Sequence, residues 1–193
     1  MLTKIAQWLT AYVVSDSQDE EQRAVCEYGC ELWLYTIIST IGLLIIGVVF
    51  GSAIEAGVMI TIFYVCQSCG GGYHANTHTK CFVTMAVGLI FGLTMLGLPM
   101  SSVPYMLILI SSMIVLLIFP LQLHPNKQYL VVQSGKMSKR SRIVTIGIVL
   151  VIAVMEFFVP RGVIHSGCVA MMMSAISRIS MVIVRLRTKT LKM

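Results

Sequence analysis

The sequence predicts an all-α, polytopic membrane protein with about six transmembrane helices and an amphipathic helix at the N-terminus. Of the 193 residues, 57% are hydrophobic and only 11% are charged, whereas a soluble domain usually carries about 25% charged residues. A core of this size could not bury so much apolar surface, so the solvent must be lipid, in which helices satisfy their own backbone hydrogen bonds.

The spans are predicted from long uncharged runs, because about 18 apolar residues suffice to cross a bilayer. Leu32 to Phe50 is one such run. Phe82 to Phe119 is about twice as long, and Pro99 and Pro104 divide it into two spans joined by a tight hairpin. The second span is short and rich in glycine at its end, so a broken or re-entrant helix is an alternative there. The predicted spans are residues 30–50, 54–70, 82–98, 103–120, 143–160 and 163–184.

The N-terminal segment, residues 1–28, does not read as a cleaved signal peptide. Lys4 is followed by a mixed segment without a small-residue cleavage site and then by an acidic stretch. Apolar residues recur at helical spacing around Trp8, which predicts an amphipathic helix lying on the membrane. A plain first helix that caps the bundle is the alternative. Because no linker suggests a second domain, we predict one domain over residues 1–193, with the transmembrane bundle in residues 29–193.

Lysine and arginine residues predict the orientation of the chain in the membrane. With six spans and both termini in the cytoplasm, twelve of the fourteen basic residues are cytoplasmic, while Arg161 is outside and Arg178 falls within the last span. This bias accounts for most of the net charge of +6, and it favours contact with anionic lipid over nucleic-acid binding. Most of the six cysteines lie near the cytoplasmic side, where thiols stay reduced.

The segment "GGYHANTHTKC", residues 71–81, concentrates reactive side chains at a break between two apolar runs. Asn76, Thr77 and Thr79 are good N-cap residues for a helix that continues into "CFVTMAVGLIFG". Cys81 would then lie in the first turn or two of that helix, beside Lys80. A helix N-terminus and a nearby positive charge stabilise a thiolate, and a histidine can accept its proton. The pattern is typical of a nucleophilic cysteine.

Two histidines are candidates for the base. His78 is three residues before Cys81 and would share a helix face with it. His74 is seven residues away, a rise of about 10.5 Å on a continuous helix, and it can reach Cys81 only if the backbone turns between them. The glycines at 70–72 and Asn76 permit such a turn. Spacing therefore favours His78, whereas loop chemistry permits His74.

Several other interpretations fit the same cluster. Cys81 could be a small core residue, or a metal ion could be held by a set of thiols and imidazoles. No carboxylate accompanies that set, and we predict neither metal nor cofactor. A transporter is the alternative from another class, but it would usually show polar positions across several spans, whereas here they concentrate at one cytoplasmic edge. The metal alternative would use Cys66, Cys69, His74, His78 and Cys81.

The order Gly71-Gly72-Tyr73-His74-Ala75, with Cys81 seven residues after the histidine, resembles the signature of the AgrB family (accessory gene regulator protein B). These are membrane endopeptidases that process quorum-sensing peptide precursors in Gram-positive bacteria. The resemblance covers nearly the whole chain and includes "FPLQLHPNKQ", residues 119–128. It implies that His74 is the general base and Cys81 the nucleophile, with His78 as a bystander or helper.

The resemblance also implies a reaction and its surroundings. The enzyme would remove the C-terminal tail of an AgrD-like precursor peptide through a Cys81 thioester and promote cyclisation to a thiolactone or lactone. It would act in the cell membrane, in contact with membrane lipid, as a homodimer and with its site in the cytoplasm. One position departs from the pattern, because the family often has an arginine where this chain has Gln67. Gln67 and Asn76 are candidates for stabilising an oxyanion or orienting His74.

Basic residues are the candidates for binding the acidic tail of such a precursor. They lie in a predicted loop, and a solvated, orientation-setting role is the alternative. Arg178 is costly in lipid and should face protein, water or substrate, although snorkelling to the cytoplasmic boundary is the ordinary alternative. The candidates for substrate binding are Lys127, Lys136, Lys139, Arg140, Arg142 and Arg178.

Overall fold

The computed structural model describes residues 2–13, 20–72, 77–121 and 131–190. Over these residues the chain forms seven α-helices and no β-strand, which confirms the predicted all-α class. One helix matches the predicted amphipathic segment, and six match the predicted spans in order. The helices are α1 (Leu2–Val13), α2 (Glu20–Val49), α3 (Ala53–Gly70), α4 (His78–Leu96), α5 (Ser102–Ile118), α6 (Val131–Met155) and α7 (Arg161–Thr190).

Four of the described helices are long and apolar enough to cross a membrane, and they lie in α2, α3, α4 and α7. Helix α5 is a shorter apolar helix. The uncharged part of α6 extends only from Ile143 to Met155, because basic residues occupy its beginning. The polytopic membrane architecture is therefore confirmed, while the exact count of six spans stays a prediction. Helix α3 is continuous over 18 residues, which matches the predicted span at 54–70 and not the alternative of a broken helix.

Two helices, α2 and α6, begin far before the predicted spans. Helix α2 includes the acidic residues from Glu20 onward, and α6 begins at Val131 rather than at residue 143. The predicted basic loop is therefore wrong for the described residues from 131 to 142, which are helical. Lysine, arginine, methionine and glutamine have high helix propensities, and no proline interrupts this stretch. Polar composition suggested a loop, but the charged residues form the water-facing first half of a long helix.

Helix α7 is the central helix of the bundle. It packs most extensively against α3 and α5 and also contacts α4 and α6, and half of its membrane-length window is buried. Small residues allow this close packing, as expected where helices associate in lipid. Gly92 of α4, for example, approaches Met59 and Val169 so closely that a β-carbon there would collide with both. Helix α7 therefore packs against four helices of the bundle, α3, α4, α5 and α6.

Helix α2 lies at the edge of the bundle. Its large apolar side chains are mostly exposed, and Trp33 is 72% exposed, as expected for a face that contacts lipid. Helix α1 packs against α2. Thr10 of α1 is buried, whereas Trp8 and Tyr12 are exposed with their rings stacked 6.3 Å apart. Helix α1 therefore joins the bundle on one side and presents aromatic rings on the other.

The predicted hairpin between the third and fourth spans is confirmed. Helix α4 ends at Leu96 and α5 begins at Ser102. The Tyr105 hydroxyl donates a hydrogen bond of 2.9 Å to the Met95 carbonyl, which ties the start of α5 to the end of α4. The hairpin follows the end of α4, whereas Cys81 lies near the beginning of that helix. The hairpin therefore does not contribute to the candidate site.

Candidate functional site

Cys81 lies at the beginning of α4, as the sequence predicts. The N-cap residue is Thr77, whose hydroxyl accepts a hydrogen bond of 3.3 Å from the Lys80 N–H. The Cys81 N–H donates to the Thr77 carbonyl at 3.0 Å. Cys81 is half-buried, so its thiol is sheltered yet reachable. The cap is Thr77 rather than Asn76, which lies outside the described residues.

Helix α4 begins inside the reactive cluster, after Thr77. Helix α4 begins at His78, and Thr77 before it is extended, with φ −135° and ψ 148°. His74, in the segment 73–76, lies outside the described residues. A continuous helix from His74 to Cys81 is nevertheless excluded, because the helix that carries Cys81 starts four residues after His74. His74 and Cys81 therefore do not lie on one continuous helix, and their pairing stays a prediction.

His78 is exposed at the start of α4, and its ring contacts a neighbouring helix. The imidazole stacks on the Tyr35 ring of α2, with centroids 4.0 Å apart and planes 8° apart. This contact uses the face of the imidazole and fixes the beginning of α4 against α2. Sequence reasoning did not find Tyr35, because an aromatic residue in an apolar span carries no signal of its partner.

Each glycine at the end of α3 has its own structural reason. Gly71 has φ 67°, a conformation that favours glycine, and its N–H donates to the Gln67 carbonyl at 2.8 Å. A β-carbon on Gly70 would collide with the Arg178 guanidinium, and one on Gly72 would collide with the Gln67 carboxamide. Glycine is thus required both for the turn and for space around two polar side chains.

Gln67 is connected to α7 rather than directed only into the glycine segment. Its Nε2 donates a 2.5 Å hydrogen bond to the Ser177 hydroxyl. Its Oε1 is buried, lies against Gly72, and has no hydrogen-bond partner among the residues that the structure describes. One N–H of the carboxamide is therefore used structurally, and its role toward an oxyanion stays a prediction. Sequence reasoning missed Ser177, although its place beside Arg178 in an apolar helix was a usable signal.

Arg178 is buried inside the bundle, at 1% exposure. Its Nη1 donates to the carbonyls of Leu116, Phe119 and Pro120 at 3.2, 3.1 and 3.0 Å, and its Nη2 donates to the Cys66 carbonyl at 3.2 Å. The side chain therefore faces protein, and the snorkelling alternative is wrong. Direct contact with substrate stays a prediction for this residue.

The basic candidates in α6 are all exposed to solvent. Lys136, Lys139 and Arg140 follow helical spacing and share one face, whereas Ser141 and Thr145 are buried on the side that packs into the bundle. The basic residues therefore form a charged, water-facing surface at the start of α6. This surface includes Arg142, while Lys127 lies outside the described residues.

Cys66 and Cys69 of α3 are buried in the helical bundle. The Cys66 thiol lies 3.9 Å from the Met171 sulfur in α7. In the part of the chain that the structure describes, no group of three or more histidine, cysteine or acidic residues is arranged to hold a metal ion. Its burial and its contact with Met171 favour a packing role for the Cys66 thiol.

The chain forms an apolar helical bundle in which a half-buried cysteine lies at the start of a capped helix. These features are those of a membrane protein with a candidate thiol nucleophile. The chain belongs to the AgrB family: the family model for accessory gene regulator B matches residues 2–182. This membership connects the chain with the accessory gene regulator system of quorum sensing.

A curated relative agrees with this membership over a shorter region. "Putative AgrB-like protein 2" of Clostridium perfringens (strain 13 / Type A) is 29% identical over 82 residues. That alignment covers 42% of this chain and 38% of the relative. No solved structure matches the chain.

Proposed function

We propose that the chain is a membrane-embedded cysteine endopeptidase that removes the C-terminal tail of an AgrD-like precursor peptide and promotes cyclisation of the remainder. The observation that carries the proposal is the position of Cys81, half-buried at the start of α4 behind the Thr77 cap. The first turn of a helix has backbone N–H groups without helical partners, and its dipole stabilises negative charge. Cys81 is thus placed where a thiolate is favoured.

His74 is the proposed general base, as in the family pattern. Its imidazole accepts the proton from the Cys81 thiol, and the resulting thiolate adds to the scissile carbonyl carbon. When the tetrahedral intermediate collapses, the carbon–nitrogen bond breaks, and the imidazolium gives its proton to the departing amine. The tail leaves with a new N-terminus, and the rest of the precursor remains as a Cys81 thioester.

Cyclisation follows from an internal nucleophile of the peptide. A cysteine thiol or serine hydroxyl of the substrate attacks the thioester carbonyl, the bond to Cys81 breaks, and the Cys81 thiol is regenerated. The intramolecular reaction has the advantage of a high effective concentration, and a site at the membrane boundary restricts competing water. The product is a thiolactone or a lactone.

The surroundings of the reaction are part of the proposal. The site faces the cytoplasm of a Gram-positive cell, membrane lipid surrounds the bundle, and the enzyme acts as a homodimer. The exposed basic surface of α6, with Lys136, Lys139 and Arg140, attracts the acidic tail of the precursor. The orientation follows from the distribution of basic residues.

The test is co-expression of the chain with the small precursor gene beside it, followed by mass spectrometry of the peptide products. Cys81→Ala and Cys81→Ser should abolish cleavage while the protein stays in the membrane. Cys26→Ala is the matched control, because Cys26 is also half-buried but lies on α2, and it should process normally. Normal processing by Cys81→Ala would contradict the thioester mechanism.

A further inference from the structure

The ends of α3 and α5 meet at a single side chain of α7. Arg178 donates to Leu116, Phe119 and Pro120 at the end of α5, and to Cys66 near the end of α3. The last carbonyls of a helix lack helical partners and carry the negative end of its dipole. Leu116 is among the last four residues of α5, whereas Cys66 lies one residue before the last four of α3. The buried guanidinium therefore satisfies free carbonyls at the end of α5 and joins that end to the last turns of α3.

The charge of Arg178 is balanced by these carbonyls and not by an acid. Among the described residues, its hydrogen-bond acceptors are all backbone oxygens. Burying a charge is costly unless it is hydrogen-bonded, so this arrangement is maintained only while both helix ends stay in place. A fixed fork of donors suits this geometry, and a single lysine ammonium cannot reproduce it.

Gly70 provides the space that the guanidinium occupies. A β-carbon at Gly70 would overlap Arg178 and would also lie 2.6 Å from the Ser141 hydroxyl of α6. The Ser141 hydroxyl is itself buried and, within the described part of the chain, has no hydrogen-bond partner. Four helices, α3, α5, α6 and α7, thus converge on the last residue of α3.

Ser177, which precedes Arg178 in α7, also contacts the last turn of α3. Ser177 accepts a hydrogen bond from Gln67, and the Gln67 carboxamide in turn rests against Gly72. Ser177 and Arg178 therefore fix both the last turn of α3 and the first residues after it. Those residues lead through the segment 73–76 to Thr77 and α4.

We propose that Arg178 is a positioning residue for the proposed reaction: it holds the last turns of α3 against α5 and α7, and with them the glycines Gly71 and Gly72 that lead toward α4. The inference rests on the proposed function, because it assigns Arg178 a part in that reaction. It differs from a substrate-binding role: the guanidinium acts through backbone carbonyls and glycine, and it does not touch the peptide. Its loss should lower the turnover number and leave substrate affinity nearly unchanged.

The experiment measures kcat, KM and thermal stability for Arg178→Lys, Gly70→Ala and the double variant in detergent-purified protein with a synthetic precursor. Misplacement of a catalytic group by about 1 Å can cost roughly 10²-fold in rate. We expect each single variant to lower kcat at least about tenfold, with KM changed less than about twofold. Gly57→Ala is the matched control, because a β-carbon on this glycine of α3 meets nothing within 4 Å, and its kcat should be that of the unmodified chain.

The double variant separates the proposed contact from general damage. Both substitutions disturb the same guanidinium, so their effects on kcat should not add. The kcat of the double variant should therefore be close to that of a single variant. Additive effects, an unchanged kcat in Arg178→Lys, or a rise confined to KM would overturn the inference. Loss of folded protein in both single variants would also overturn it, since Arg178 would then serve stability alone.

Failure of this inference is distinguishable from failure of the proposed function. If Cys81→Ala is inactive while both Arg178→Lys and Gly70→Ala keep full turnover, the endopeptidase proposal stands and the positioning role is wrong. If Cys81→Ala remains active, the proposed function is wrong, whatever the result for Arg178.

Discussion

The ring of His78 lies parallel to the ring of Tyr35, with centroids 4.0 Å apart, and this contact joins the first residue of α4 to α2. The pair fixes the start of the helix that carries Cys81. The contact uses the face of the imidazole, so another aromatic ring at this position could make it. The two histidines of the cluster should therefore respond differently to substitution.

His74→Ala should lose about 10² to 10⁴-fold in turnover, the usual effect of removing a general base. His78→Phe should keep most activity because phenylalanine preserves the stack on Tyr35, whereas His78→Ala should lower thermal stability. Precursor cleavage and melting temperature measure the two effects. If His78→Phe is inactive and His74→Ala is not, the base is His78.

Removing the helix cap should weaken the start of α4. Thr77→Val deletes the hydroxyl that accepts from Lys80, and loss of an N-cap typically costs about 1 kcal/mol. Alkylation of Cys81 by iodoacetamide at fixed pH should become slower as the first turn frays. Thr84→Val is the control, because the Thr84 hydroxyl bonds only a carbonyl within the same helix. If Thr77→Val and Thr84→Val are alkylated at equal rates, the Thr77 cap does not affect the reactivity of the Cys81 thiol.

The Gln67–Ser177 hydrogen bond should couple α3 to α7. Ser177→Ala leaves the Gln67 donor without this acceptor in a part-buried site, and the cost should fall below the roughly 1–3 kcal/mol of a fully buried unsatisfied group. Gln67→Met should cost less when Ser177→Ala is already present, because the contact is then gone. Thermal unfolding of the single and double variants measures the coupling. Strict additivity would show that the two side chains are energetically independent.

The basic surface of α6 should contribute to substrate capture. Neutralising Lys136, Lys139 and Arg140 together should raise KM several-fold, since exposed charge pairs contribute about 0.2–1 kcal/mol each. The effect should shrink as salt rises, because charges are screened over about 8 Å at 0.15 M. Steady-state kinetics at low and high salt measure it.

Two controls accompany the charge test. Arg185 and Arg187 are exposed on α7, and neutralising them should change KM less than the α6 triple variant does. Topology mapping should show the triple variant in its normal orientation, because the same residues influence insertion. An unchanged KM at low salt in a correctly inserted protein would assign the α6 surface to orientation alone.

The sequence was sufficient to predict the helices and the location of the reactive segment. Uncharged runs and prolines mark the ends of elements, and Thr77 before the apolar run marks the start of α4. The α6 boundary was wrong, because charge content does not distinguish a loop from a polar helical turn. The contacts of Arg178 and Gln67 could not be predicted, since their partners are more than 50 residues away in the chain and depend on how α7 packs. The glycines of the cluster suggested a turn, but not the side chains that they accommodate.

The most direct test of the central claim is intact-protein mass spectrometry of the purified enzyme during reaction with a precursor whose internal cysteine or serine is replaced by alanine. Cyclisation is then blocked, and the account predicts a mass increase equal to the N-terminal part of the peptide, located on Cys81 and removed by hydroxylamine. Cys26→Ala should show the same adduct, and Cys81→Ala should show none. Cleavage of the precursor without any adduct on Cys81, or with an adduct on another residue, would contradict the thioester mechanism.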